Sequence, residues 1–258
     1  MKRNAQNNGK IMRHEPSLTP FLSIIIPAYN EEVRLQQTLV HVAEFVRSQN
    51  YGIEVLVVDN ASTDRTREVI LDYTSRHPFM HYHFEPKRGK GAAVRTGILA
   101  GRGEYLLICD ADLAVPIQEI EKFLPPDAGD YDVAIGSREA KGARRYNEPQ
   151  HRHLMGRVFN CIVRLLVLPG IQDTQCGFKC FSRRSARELF VAGTIDGWSF
   201  DVEILYIARL RGFTIVEVPI NWYYGEESKI SPLRDTWNML REVIEIRTNG
   251  SKGTYVRK

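Results

Sequence analysis

The chain has 258 residues, 43% hydrophobic, 10% aromatic and 26% charged, a make-up that excludes disorder, collagen-like repeats and a small disulfide-stapled scaffold. Its 35 basic and 31 acidic residues leave a net charge of +4, too mild to argue for nucleic acid as a partner. No run approaches the ~18 uncharged apolar residues of a membrane span. No apolar stretch of a signal peptide follows the basic start MKRNAQNNGK, and the four cysteines lack paired CxxC spacing and read as reduced, mostly buried thiols. A globular enzyme on the cytosolic side is the expectation.

Residues 1–20 are polar, contain Pro16 and Pro20, and read as a loose leader. LSIIIP (22–27) is a short continuous apolar run, the mark of a strand buried on both faces. Val33, Leu39, Val42, Ala43 and Val46 then recur at helical spacing. IEVLVVD (53–59) predicts a second buried strand, followed by a helix with Thr63 and Asp64 at its start. MHYHFE (80–85) alternates less clearly and belongs nearer a sheet edge; GAAVRTGILAG (91–101) predicts a helix, EYLLICD (104–110) and YDVAIGS (131–137) strands. Strands and helices alternating through short loops predict a mostly parallel sheet flanked by helices, whose ligands bind beyond the carboxyl ends of the strands.

Between Arg138 and Arg164 seven Lys or Arg face two Glu, a local excess larger than the charge of the whole chain. This stretch leads into HLMGRVFNCIVRLLVL (153–168), a predicted helix whose narrow polar stripe is Arg157, Asn160 and Arg164. Two readings stand for it: a core helix with one wet edge, or a helix lying in a membrane interface with arginines level with lipid phosphates. The last predicted helix opens at Ser231-Pro232 and ends near Asn249-Gly250. It carries Trp237, Leu240 and Ile244 on one face and Arg234, Arg241 and Arg247 on the polar side.

The strongest chemical signal is Asp110-Ala111-Asp112 directly after the apolar run LLIC. Two carboxylates at i, i+2 in extended chain point the same way. They either repel as solvated acids or hold a hard cation such as Mg²⁺ or Mn²⁺ together with substrate phosphates. Asp59, at the end of the second strand, suits either a bound base or a cap for the next helix. Arg88-Gly89-Lys90-Gly91 places cations and flexible residues before a helix, which suits a phosphate.

PAYNE (27–31), VVDNASTD (57–64), RGKGAAVRTG (88–97), DAD (110–112), GSR (136–138) and DTQCGFKCF (173–181), in this order and spacing, resemble glycosyltransferase family 2, within its polyprenyl-phosphate branch, over about residues 22–247. The resemblance implies a GT-A, Rossmann-like domain over 21–248, a tail over 249–258, and an amphipathic interface helix at 153–168. It implies that Pro27, Tyr29, Glu31, Asp59 and Lys90 bind a nucleotide sugar. Asp110 and Asp112 would bind the divalent ion and the donor diphosphate. Arg138, Arg152 and Lys229 would approach the acceptor phosphate. Asp173 would sit at the reaction centre, as a base or as an orienting group, lined by Gln175 and Lys179.

The implied reaction is inverting transfer of one hexose to a polyprenyl or dolichyl phosphate, with UDP-glucose the first donor and UDP-N-acetylglucosamine or GDP-mannose the alternatives. A saccharide hydroxyl acceptor and a non-catalytic nucleotide-sugar-binding module are the rival readings. Asn60 stands where many relatives carry a second Asp, and LAVPIQE after the DAD differs from the eukaryotic glucosyl enzymes, so the sugar stays open. With no N-terminal anchor in the sequence, a peripheral protein on the cytoplasmic membrane face is expected.

Overall fold

The computed structural model describes residues 19–225 and 232–256. Residues 1–18 of the expected leader, and Lys229, lie outside them. The first half alternates strand and helix: β1 (Leu22–Ala28), α1 (Arg34–Ser48), β2 (Ile53–Asp59), α2 (Thr66–Arg76), β3 (Met80–Phe84), α3 (Lys90–Ala100) and β4 (Tyr105–Ile108). The second half adds β5 (Val133–Ser137), β6 (Arg144–Tyr146), α4 (Gln150–Leu166), β7 (Lys179–Ser182), α5 (Arg183–Ala192), α6 (Phe200–Leu210), β8 (Ile215–Pro219), β9 (Asn221–Tyr223) and α7 (Pro232–Ser251).

The seven-stranded sheet has the order β3-β2-β1-β4-β7-β5-β8. Its neighbours pair in parallel except around β7, which is antiparallel to both β4 and β5. β2 and β3 are laid down on one side of β1, and the chain then crosses to place β4 on the other. Strand order therefore reverses at the β1–β4 boundary, the place where open α/β sheets form a ligand crevice.

Alternation along β1 divides the core. Ile25 faces one hydrophobic cluster with α3, α5 and α6, whereas Ile24 and Ile26 face the other with Leu35, Leu39 and Val42 of α1. All these residues are fully buried, and each contributes about 1.5–3 kcal/mol relative to exposure. β3 lies at the sheet edge, as its weak alternation suggests.

Several helices depart from expectation in informative ways. Val33 lies just before α1 and is exposed, so it is not part of the buried stripe. α2 begins two residues after Asp64, whose carboxylate accepts from Thr66 N–H at 3.0 Å and Glu32 N–H at 3.2 Å, capping the helix from outside it. α4 starts three residues earlier than expected. Asn160 does not belong to its wet edge: it is buried and its Oδ1 accepts from Thr174 Oγ1 at 3.0 Å.

α7 is rotated relative to the sequence reading. Met239, Val243 and Ile246 enter the core, while Trp237 and Ile244 are exposed, at 66% and 61%. Beyond α7, Tyr255 of the expected tail is completely buried, and its hydroxyl donates to Glu203 at 2.7 Å. No helix among the described residues is long and apolar enough to cross a membrane.

Candidate active site

Four strand ends converge on the crevice. Pro27 and Ala28 end β1, Asp59 ends β2, Cys109-Asp110 follow β4, and Ser137 ends β5 with Arg138 directly after it. Because β7 runs the other way, its first residue, Lys179, pairs with Ile108 and Ile135 at this same end. The preceding loop, 173–178, is thereby delivered into the crevice from the side of β5.

On the β1–β2 side, Asp59 is buried and its Oδ1 accepts from Ser62 N–H at 3.0 Å, a bond within the loop before α2 rather than a cap on the helix, whose first turn is bonded by Asp64. The Arg88 guanidinium lies 5.1 Å from the centre of the half-buried Tyr29 ring, a cation–π approach. Glu31 is held by Arg34 at 2.8 Å.

The RGKG loop is fixed by residues that sequence reasoning missed. Asn60, also buried, donates to the Lys87 carbonyl at 2.7 Å and the Glu85 carbonyl at 3.3 Å, and accepts from Gly89 N–H at 2.8 Å. An aspartate there would lack the donors and face two carbonyl oxygens, which accounts for the amide at this position. Asp196 pairs with Arg95 at 2.6 Å and with Lys87. Gly89 has φ 138°, and a side chain on it would meet the Asp196 carbonyl oxygen at 2.2 Å, so only glycine fits. Lys90, at the start of α3, thus reaches Asp110 Oδ1 at 2.6 Å. Burial alone would lower its pKa, but Asp110 and Asp201 outweigh it and raise it, keeping the ammonium charged.

Asp110 is half-buried and Asp112 exposed to the crevice. Asp112 Oδ1 accepts from Ala114 N–H at 3.0 Å, which orients the carboxylate. The surrounding protein, and after it the Asp110 charge, push the Asp112 carboxyl above its ordinary range. Two crowded carboxylates fit a hard divalent cation. The described residues contain no cluster of three or more His, Cys, Asp or Glu, so a full protein cage is not built here. One or two carboxylates completed by substrate phosphates is the usual arrangement for Mg²⁺.

Asp173 and Arg138 form the other half. Arg138 Nε and Nη2 bond Asp173 Oδ2 and Oδ1 at 2.7 and 2.9 Å, and Arg138 N–H also donates to Oδ2 at 3.0 Å. Asp173 is fully buried. Burial would raise its pKa, but Arg138 and then Lys179 hold it down at about 2. The Trp222 ring lies 5.3 Å from the Arg138 guanidinium. Beside this pair an open cavity of about 520 Å³ is lined by Arg145, Asn147, Glu148 and Gln150, and Arg145 Nε donates to the Arg138 carbonyl at 3.3 Å.

The two halves touch through Gly177, where a side-chain carbon would come within 2.0 Å of Asp110 Oδ2. Asp173 and Gly177 are four residues apart, a reach of at most about 14 Å. Gln175 is half-buried in the same loop, whereas Lys179 is only 1% exposed and lies beneath the crevice rather than lining it. Arg152 falls in α4, where its side chain is outside the described residues, as is Lys229 altogether.

Comparison with known proteins gives a consistent picture. The sequence profile of glycosyl transferase family 2 matches residues 23–190. A dolichyl-phosphate beta-glucosyltransferase of Dictyostelium discoideum is 33% identical over 245 residues, covering 88% of this chain and 74% of that protein. The proteins of that name from Drosophila melanogaster and Homo sapiens are 36% and 34% identical, covering 91% and 93% of this chain and 76% and 78% of theirs. Among solved structures, glucosyl-3-phosphoglycerate synthase from Mycobacterium tuberculosis with uridine-diphosphate aligns with TM-score 0.63 at 19% identity, covering 89% of this chain and 79% of the other. Its complex with Mn²⁺, UDP-glucose and phosphoglyceric acid aligns with TM-score 0.62 at 18% identity and the same coverage. At such identities the structural likeness establishes the fold.

Proposed function

The chain belongs to glycosyl transferase family 2, and from that premise we propose that it transfers one hexose, glucose from UDP-glucose in the first instance, to the phosphate of a dolichyl or other polyprenyl lipid. The curated relatives carry that activity in their names, and the mycobacterial structure holds UDP-glucose with Mn²⁺ on the same fold.

The observation that carries the reading is the bidentate Arg138–Asp173 pair. A sugar hydroxyl needs a base to take its proton, and the acid in the acceptor loop is fully buried and committed to a guanidinium, with its pKa held at about 2. A phosphate monoester is largely dianionic near neutral pH and attacks without one. What it requires is positive charge: Arg138 and Arg145 are held on this side by Asp173 and by Glu139 and Glu148, and Arg152 and Lys229 are the further proposed phosphate contacts.

In the proposed reaction an acceptor phosphate oxygen forms a bond to the anomeric carbon as the bond from that carbon to the nucleotide diphosphate breaks. The displacement is in line and inverts the anomeric centre. Tyr29, Glu31 and Asp59 hold the nucleoside end. Lys90 holds Asp110 and adds charge at the diphosphate. Asp110 and Asp112 would hold Mg²⁺ or Mn²⁺, which neutralises the charge growing on the leaving diphosphate when bound.

A membrane surface is proposed as the place of reaction, with the protein peripheral on its cytoplasmic face. Val158 and Leu165 of α4 are exposed, at 54% and 78%, beside the exposed Arg157 and Arg164. Trp237, Arg241 and Ile244 are exposed on α7, whose Arg247 donates to the Leu166 carbonyl at 2.6 Å. Apolar side chains flanked by arginines suit an interface of acyl chains and phosphates.

The test is transfer of labelled sugar into an organic-extractable product, offering UDP-glucose, UDP-N-acetylglucosamine and GDP-mannose with polyprenyl phosphate and Mg²⁺ or Mn²⁺. Label from UDP-glucose that disappears on metal removal with EDTA is the expected result. Label that enters only saccharide acceptors would overturn the lipid-phosphate reading. Gly177→Ala should fold but lose about 10²-fold in kcat, since displacing Asp110 by an ångström misaligns the donor. A Gly177→Ala enzyme with wild-type kcat would show that the loop and Asp110 move independently.

A further inference from the structure

Beneath the crevice lies a second ion pair that the reaction as described does not use. Lys179, at the start of β7, is 1% exposed, and Asp201, in the first turn of α6, is 5% exposed. Their Nζ–Oδ1 separation is 2.7 Å, and Lys179 also donates to the Cys176 carbonyl. The Asp201 contact is close but off the hydrogen-bond direction, so Oδ1 has a charge partner and no aligned donor.

Such a pair is a poor way to stabilise a core. Desolvating two charges costs several kcal/mol per ion, and apolar residues of equal volume often serve as well. The position of the pair gives the better account. On one side Lys179 is within electrostatic reach of Asp173, the partner of Arg138. On the other, Asp201 acts on Lys90, the partner of Asp110. Reading from the acceptor side, the charges run Arg138 (+), Asp173 (−), Lys179 (+), Asp201 (−), Lys90 (+), Asp110 (−). The Lys179–Cys176 bond also anchors the loop whose next residue, Gly177, packs on Asp110.

We propose that Lys179 and Asp201 are positioning residues, which complete a buried row of alternating charges and so hold the acceptor arginine and the donor carboxylates in one fixed relation. Neither touches substrate. The pair pins the 173–178 loop from below through the Lys179–Cys176 bond, which sets Gly177 against Asp110, and it places the Asp201 charge within electrostatic reach of Lys90, the partner of Asp110. The inference rests on the crevice being the transfer site.

Three variants test it. Lys179→Met strands a buried carboxylate and should lower Tm markedly. Lys179→Met/Asp201→Asn removes both charges and should recover most of that loss. If the pair were only structural, activity would return with stability. The expected result is that Tm returns while kcat stays down by about 10²-fold and the KM for polyprenyl phosphate stays raised, because the two halves are no longer held together. Asp201→Asn alone leaves the buried Lys179 ammonium without its carboxylate, so its Tm should fall as in Lys179→Met, and the enzyme that remains folded should show reduced kcat.

Calorimetry of UDP binding, with and without Mn²⁺, gives a readout independent of transfer. Weaker Mn²⁺-dependent UDP binding is expected in Asp201→Asn and in the double variant, as the 173–178 loop and the Lys90–Asp110 pair lose the buried charge pair beneath them. Wild-type kcat, KM and UDP affinity in a folded double variant, or in Asp201→Asn, would overturn the proposal. A wild-type protein that binds UDP but transfers nothing to polyprenyl phosphate would instead count against the acceptor reading, leaving the binding comparison to decide the role of the pair.

Discussion

Asp112→Asn should lower kcat by about 10²–10³-fold, the size of effect seen when one preorganised charge-stabilising group is removed from a transition state. The substitution is close to a pure charge deletion. Asp112 Oδ1 accepts from Ala114 N–H at 3.0 Å, and an asparagine oxygen can accept the same bond, so the turn after the DAD keeps its form. Because the side chain is exposed to the crevice, stability should stay within about 0.5 kcal/mol. The like charge of Asp110 even favours the change, since it already pushes the Asp112 carboxyl upward. Steady-state kinetics with a Mn²⁺ titration, beside a melting curve, check it. Activity within about threefold of wild type, with an unchanged metal requirement, would remove Asp112 from the site.

Asp173→Ala should instead act first on stability. It leaves the Arg138 guanidinium in a mostly buried place without its bidentate partner, a change of about 3–5 kcal/mol. For a chain of this size that is a fall in Tm of roughly 6–20 °C. The effect has a pH signature. The folded Asp173 carboxyl is held at about 2, below the ~3.9 of an unfolded aspartate. Its contribution is therefore fully present above pH ~4 and is lost as pH falls from there through about 2, below which folded and unfolded forms are both protonated. The Tm gap between wild type and Asp173→Ala should accordingly be constant near neutrality and narrow through that acidic window. A gap that does not change down to pH ~2.5 would mean the ion pair is not what the alanine removes.

Much of the donor half was legible in the sequence because its signals are local. β1 and β2 are continuous apolar runs ending at Pro27 and Asp59, and buried parallel strands have no other common appearance. The DAD and RGKG segments sit at strand and helix ends that the same runs define. The acceptor half was less readable because its determinants are distant in sequence. Asp173 pairs with Arg138 across 35 residues, and Asn160 with Thr174 across 14. The donor half has one such long-range element too: Asn60 bonds three separate backbone groups beyond residue 84.

α7 shows a different kind of ambiguity. Trp237, Met239, Leu240, Val243, Ile244 and Ile246 spread over about half of the helix circumference at 100° per residue. Periodicity marks such a helix as amphipathic without saying which edge of the broad face enters the core. Packing against the cluster that holds Met239, Val243 and Ile246 decides it, and leaves Trp237 outside. The direction of β7 is likewise absent from KCFS, four residues whose pattern is the same read either way.

Because β7 alone runs against its neighbours, chain order and spatial order part company at the crevice. The proposed donor half is written by successive strand ends in the first 112 residues, whereas the proposed acceptor half draws on two stretches of the second half, beginning at Arg138 and at Asp173. On that proposed assignment the two substrates are encoded on separate pages, and changes in the later stretches should alter what receives the sugar while leaving nucleotide binding as it was. The exception is Gly177, which belongs to the later text but is constrained by the earlier one, since the space it leaves empty is the space Asp110 fills.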